Sequence, residues 1–184
     1  MQFVNRTKDW GLNIPSFSNG ASFVDLDLDG DLDYVVNNIN DPAFIYRNNS
    51  VENFKESSNY LRINLKGEAS NVAAIGASVE LWSKGHYQYA EKFLSRGYIS
   101  SVDPIMHFGL GNINEVDSLR ITWPSSKKVT NLKSIRVNQV ITLKESDAIA
   151  SVVKPHVSKT QKIFTKVEDV VDFTHIENDY IDFF

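Results

Sequence analysis

Apolar residues recur at every second position through much of the middle of the chain. Leu61, Ile63 and Leu65 alternate with Arg62, Asn64 and Lys66, and Leu119, Ile121 and Trp123 alternate with Arg120 and Thr122. Val79 and Leu81 keep the same spacing after the small residues Gly76, Ala77 and Ser78. A two-residue period places successive side chains on opposite faces of an extended chain, so these segments predict half-buried strands. Further strands are expected around 87–92, 106–109 and 139–144. "WSKGH" (82–86) and "WPSSKK" (123–128) supply Gly, Pro and Ser between the runs, the chemistry of hairpins and short connections. No window carries a 3.6-residue stripe of helical length. The expected class is therefore all-β, with residues 59–145 forming an antiparallel β-sandwich or barrel. Residues 146–162 lack a sustained pattern, contain Pro155 and read as a linker.

Composition adjusts this picture only at the margins. The 184 residues suffice for one medium domain or a domain with a partial neighbour, and 42% hydrophobic with 23% charged residues is an ordinary globular balance. A formal charge of -4 argues against an electrostatic grip on nucleic acid, which requires clustered Lys and Arg. The absence of cysteine excludes disulfides, Cys-zinc sites and thiol nucleophiles. No apolar run approaches the roughly 18 residues of a spanning helix, so no transmembrane segment is expected.

One segment departs from ordinary strand patterning. "GASFVDLDLDGDLDYVVNNIND" (20–41) places aspartates on alternate positions, at Asp25, Asp27, Asp29, Asp31 and Asp33. Oxygen ligands at positions 1, 3, 5, 7 and 9 of a tight loop converge on a hard cation, and Gly30 at position 6 permits the sharp turn. Carboxylates this close repel one another without a counter-charge, which favours a bound ion over a bare acidic loop. Calcium is expected rather than magnesium, because a flexible loop of many carboxylates suits six to eight ligands; zinc and copper would call for His or Cys. An EF-hand is excluded, since its twelfth position requires Glu and here holds Val36. Tyr34, Val35 and Val36 read as a strand leaving the loop. The expected unit is strand–calcium loop–strand, with side-chain ligands Asp25, Asp27, Asp29 and Asp33 and the Asp31 carbonyl, and with a structural rather than catalytic ion.

"NGASFVDLDLDGDLDYVVNNINDPAFIYRNN" resembles the FG-GAP or VCBS-type repeat, a blade of calcium-binding β-propellers. "AIGASVELW" (74–82), "GYISSVDPIMHFGLG" (97–111), "VDSLRITWPSS" (116–126) and "VNQVITLKE" (137–145) resemble the ASPIC/UnbV domain that follows such repeats. Where that family commonly shows an Asn-Arg-Asp-like sequence before "AIGA", this chain has Asn71, Val72 and Ala73. The resemblance implies a partial repeat over 1–55, the β-domain over 59–145, the linker, and the start of a further repeat region over 163–184, where "FTKVEDVVDF" faintly echoes "FVNRTKDWGL". It also implies a fragment of a larger bacterial secreted protein, located outside the cell or on its surface. Its partners would be other repeats of the parent chain, with glycans or cell-surface proteins as further candidates. A single blade cannot bury both faces alone, so the N-terminal unit must dock on the sandwich or be covered by the tail.

Other candidate chemistry is thinner. His86, His107, His156 and His175 form no metal motif, and Gly109-Leu110-Gly111 lacks the third glycine and the helix of a nucleotide loop. Asp103, His107 and nearby serines invite a hydrolase reading, yet no Gly-x-Ser-x-Gly elbow exists. A metal-dependent hydrolase fragment and a purely structural connector stand as the alternatives to a noncatalytic binding or adhesion module. Tyr87, Tyr89, Phe93, Tyr98, Trp82 and Trp123 offer a sugar-stacking face, against the plainer reading of core and cross-strand pairs. Asn5-Arg6-Thr7 and Asn48-Asn49-Ser50 match the glycosylation pattern.

Overall fold

The computed structural model describes residues 3–150. Most of the expected linker and all of 163–184, including the echo of the N-terminal segment, lie outside the described residues. Three strands come first: β1 (Ser18–Val24), β2 (Asp33–Asn38) and β3 (Phe44–Tyr46), an antiparallel sheet in the order β1-β2-β3. A one-turn helix α1 (Ser50–Asn53) and a 3-10 turn (Lys55–Ser57) lead into the second part. There, β4 (Asn59–Lys66), β7 (Met106–Gly111) and β10 (Gln139–Lys144) form one sheet in the order β10-β4-β7. The facing sheet, in the order β6-β5-β8-β9, contains β5 (Ser78–Ser83), β6 (His86–Glu91), β8 (Glu115–Thr122) and β9 (Val129–Arg136). All described residues fall within the unit Met1–Ser151.

The alternation in sequence accounts for the core. Leu61, Ile63 and Leu65 of β4, Phe108 and Leu110 of β7, Val79 and Leu81 of β5, and Val116, Leu119 and Ile121 of β8 form one buried cluster between the two sheets. Neither sheet closes on itself, so the architecture is a sandwich and not a barrel. Hairpin β5–β6 turns through Lys84 (φ 46°) and Gly85 (φ 80°), two left-handed residues as a two-residue hairpin of the right twist requires.

Within the expected antiparallel sandwich one pairing is parallel: β10 runs parallel to β4 over Gln139–Lys144 and Leu61–Lys66. The chain between them passes through the whole facing sheet, so no hairpin dictates their relative direction. Asn138 fixes this pairing. Its backbone N–H donates to Tyr60 O (2.7 Å), its side-chain oxygen accepts from Tyr60 N (3.0 Å), and its Nδ2 donates to Asn59 Oδ1 (2.7 Å).

Residues 146–149, expected to open the linker, instead complete the sandwich. Ala148 joins the core and Ile149 pairs with Val129. Beside them Glu145, 1% exposed, accepts from the amides of Glu68 (3.1 Å) and Ser126 (3.0 Å). These bonds tie two loops to the residue that follows β10. Burial alone would push this carboxyl up, but the Ser126 and Glu68 hydrogen bonds and the Lys128 charge outweigh it and hold the group below its ordinary value.

Candidate metal centre

The aspartate run occupies the turn between β1 and β2. Val24 pairs with Asp33, so the two strands deliver both ends of the loop to one place. Asp33 closes it: Oδ2 accepts from Leu26 N (2.9 Å) and Oδ1 from Asn48 N (2.8 Å), which also draws in the chain after β3. Asp29 Oδ1 accepts from Asp31 N (3.0 Å), an Asx-type turn that curls the middle of the loop. Asp31 points its Oδ2 at Val51 N (3.0 Å), at the start of α1. Val36, at the position where an EF-hand would need Glu, is buried in β2.

Gly30 has two reasons to be glycine. Its φ of +105° lies where other residues rarely go, and an added Cβ would lie 2.0 Å from Cε1 of Tyr60 on β4. The sequence accounts for the first through the tight loop; the second comes from the sandwich, whose outer face at β4 presses on the loop.

Of the five predicted residues, Asp25, Asp27 and Asp29 come together, each offering a carboxylate oxygen within 4.8 Å of the other two. The side chains of Asp31 and Asp33 stand outside this group and serve the amides just described. Asp25, Asp31 and Asp33 are buried, Asp29 half-buried and Asp27 exposed. Three buried oxygens, Asp25 Oδ1, Asp29 Oδ2 and Asp31 Oδ1, have no hydrogen-bond partner among the described residues. Burial is the main cause raising the Asp31 carboxyl above its ordinary value; the Asp29 and Asp33 charges add to it, and the Val51 amide opposes it.

Two arginines, neither anticipated from sequence, supply part of the counter-charge. Arg47 Nε donates to Asp27 Oδ2 (2.8 Å), and its Nη2 pairs with Glu52. Arg62, 5% exposed on β4, donates through Nη1 to Asp25 Oδ2 and through Nη2 to Asp103 Oδ2 (2.7 Å). The alternation that marks β4 as half-buried assigns Arg62 to the solvent face. That face is instead covered by the aspartate loop.

His107, cross-strand from Arg62 on β7, stacks on Tyr60 with ring centroids 5.8 Å apart. Burial, reinforced by the Arg62 charge, holds this imidazole below its ordinary value. Asp103 spends its oxygens on Arg62 and on the amide of Ile105 (2.8 Å), so it does not orient His107 as the hydrolase reading requires.

The aromatic set divides. Trp123 is fully buried and donates from Nε1 to Thr130 Oγ1 (2.9 Å), so it belongs to the core and not to a sugar-stacking face. Trp82, Tyr87 and Tyr89 share the outer face of the four-stranded sheet, where Trp82 pairs with Tyr87 (centroids 5.4 Å apart) and Tyr89 with Glu80. Phe93 and Tyr98 are exposed on the segment that follows β6. Asn48 of the second glycosylation pattern has its amide engaged, donating to Leu32 O (3.2 Å) and accepting from Ser50 N (3.0 Å).

Comparison with known proteins meets this architecture over the sandwich. The family described as ASPIC and UnbV matches residues 67–150. Cartilage acidic protein 1 of Homo sapiens is 31% identical over 129 residues, covering 66% of this chain and 18% of its own length. The Mus musculus protein of the same name gives 31% over 129 residues, and that of Xenopus tropicalis 27% over 165 residues, covering 86% of this chain and 23% of its own length. The chain thus spans less than a quarter of the curated relatives it matches, and these relatives are vertebrate rather than bacterial. Residues 67–150, from the loop before β5 to the pairing of Ile149 with Val129, are similar to the ASPIC and UnbV family.

Proposed function

We propose that the chain is a noncatalytic, extracellular calcium-binding module, in which a partial FG-GAP/VCBS-type repeat rests on an ASPIC/UnbV sandwich and calcium is structural. The observation that carries this reading is the set of buried, unpartnered oxygens on Asp25, Asp29 and Asp31 beside the converging carboxylates of Asp25, Asp27 and Asp29. A buried carboxylate oxygen without a donor is costly, and a hard cation with oxygen ligands relieves several at once. Asp25, Asp27 and Asp29 would hold the ion directly; Asp31, through its carbonyl or its unpartnered Oδ1, and Asp33, whose oxygens also accept amides, would be the further ligands. When bound, the ion neutralises the loop and cross-links β1 to β2. The ASPIC and UnbV match and the similarity to proteins named for cartilage support a noncatalytic module outside the cell.

Two surfaces offer partners. The N-terminal sheet leaves Phe23, Tyr34 and Ile45 exposed, which suits other repeats of a longer parent chain. On the sandwich, Tyr87 (53% exposed) and Tyr89 (56%) stand beside Trp82, Glu80 and Arg120, flat rings with polar edges suited to a glycan or a cell-surface protein.

Calcium titration of the metal-stripped chain tests the central claim. The melting temperature should rise with calcium, and Asp29→Ala should abolish the rise. A wild-type chain whose melting and calorimetric traces ignore calcium would overturn the proposal. A glycan array probed with wild type and with Tyr87→Ala/Tyr89→Ala tests the aromatic face separately.

A further inference from the structure

Asp25 belongs to two structures at once. Its side chain is 1% exposed; Oδ2 takes the Arg62 guanidinium, Oδ1 is unpartnered among the described residues, and one of its carboxylate oxygens lies within 4.8 Å of those offered by Asp27 and Asp29. Arg62 is in turn held from behind, since Asp103 Oδ2 accepts from its Nη2 (2.7 Å) and Asp103 Oδ1 accepts from the amide of Ile105 (2.8 Å). An unbroken polar chain therefore runs from the sandwich backbone at Ile105 through Asp103 and Arg62 to the first carboxylate of the loop. Tyr60, two residues before Arg62 on the same face of β4, lies against Gly30 and completes the seat.

We propose that Arg62 is a positioning residue for the cation site: by fixing Asp25 Oδ2 it aims Oδ1 into the loop and couples cation affinity to the docking of the loop on the sandwich. This rests on the calcium reading above. A planar guanidinium offers donors in a rigid fork and so holds two carboxylates at a set angle, which the single point charge of a lysine cannot do. Groups that orient metal ligands typically set affinity by ten- to a hundredfold. The Arg62 charge acts in the opposite sense, because a cation beside the loop repels a second cation. Positioning and charge thus predict opposite outcomes when Arg62 is removed. Coupling is also reciprocal, so bound calcium must tighten the docking by the same factor by which docking raises affinity.

The test uses the full chain stripped of metal and titrated with calcium by calorimetry, as wild type, Arg62→Gln, Arg62→Lys and Asp103→Asn. Both Arg62 variants should bind calcium about tenfold or more weakly. Asp103→Asn, which leaves every loop residue intact, should weaken it by a smaller factor. Amide exchange gives the second readout: calcium should slow exchange at residues 60–63 of β4 in wild type and leave it unchanged in Arg62→Gln. Unchanged or tighter binding by Arg62→Gln would mean that Arg62 acts only as a charge, and overturns the inference. If the Arg62 variants fail to fold, Asp103→Asn decides, and wild-type affinity there overturns it equally. A wild-type chain that binds no calcium removes the calcium reading itself, and this inference with it.

Discussion

The N-terminal sheet and the sandwich are joined in one unit yet are held together by different physics. Val36 is the one buried apolar residue of β1, β2 and β3, whereas Asp25, Asp31, Asp33 and Asn38 are buried polar ones in the same region. The sandwich inverts this balance, with an apolar cluster running from Leu61 to Ala148 that far outnumbers its buried polar residues Asn59, Arg62, Ser83, Lys92 and Glu145. Burial of apolar area is non-directional and tolerates some repacking. Carboxylates that must meet specific amides and arginines tolerate little. One region is thus condensed by hydrophobic burial. The other is shaped by hydrogen-bond and charge geometry against a neighbour's face.

The sharpest way to separate the two is to damage one and watch the other. Trp123→Ala removes the largest fully buried side chain and should cost about 3–5 kcal/mol, read as loss of cooperative melting of the whole described unit. Gly30→Ala combines a left-handed φ with overlap on the Tyr60 ring and should cost about 2–4 kcal/mol. Its signature differs, because amide exchange should accelerate across 18–46 while residues 79–81 and 119–121 remain protected. Equal acceleration in both regions would mean that they do not differ in this way. Calcium at a hundredfold excess over its dissociation constant should add about 2.7 kcal/mol, with new protection confined to the loop and its seat on β4.

The smallest effect probes the sandwich by pH. Glu145 titrates below its ordinary value of 4.5 in the folded chain, so its contribution is fully present above that value and is lost as pH falls through the lower folded value. Asp31 has the opposite sign. Its raised value means that the folded loop gains relative stability as pH falls, unless a cation holds the carboxylate charged. Acid titration without calcium should therefore loosen the Glu68 and Ser126 loops before the aspartate loop, measured by exchange at those amides. Glu145→Gln should remove the acid dependence and cost about 1–3 kcal/mol, because its NH2 would face an amide donor.

Much of the sandwich was legible because a half-buried strand writes its two faces directly into sequence. Leu61, Ile63 and Leu65 mark β4, and the expected strand at 139–144 coincides with β10. Strand β9 escaped notice for a physical reason. Ser134 has a φ of +51° within it, and the pairing passes from Val116–Ile135 to Ser118–Lys133 across that residue, which breaks the even alternation. Asn71 has a role that no local pattern reveals: its side chain holds both the N–H and the carbonyl of Ile75 at 2.9 Å, pinning the "AIGA" turn.

The candidate site divides along the same line. Aspartate spacing and Gly30 were enough to place an oxygen-rich loop between two strands, because the chemistry lies within nine consecutive residues. Period and spacing are local properties, and sequence expresses them fully. Arg62, Tyr60 and Asp103 come from the other region, and no local pattern distinguishes a solvent-facing arginine on a strand from one that another part of the chain will cover. The direction of β10 and the closure of the sandwich by residues 146–149 were likewise decided only by long-range pairing. So was the division of the aspartates, with Asp25, Asp27 and Asp29 converging and Asp31 and Asp33 committed to amides, since the amides of Val51 and Asn48 reach the loop only after the chain has folded back on itself.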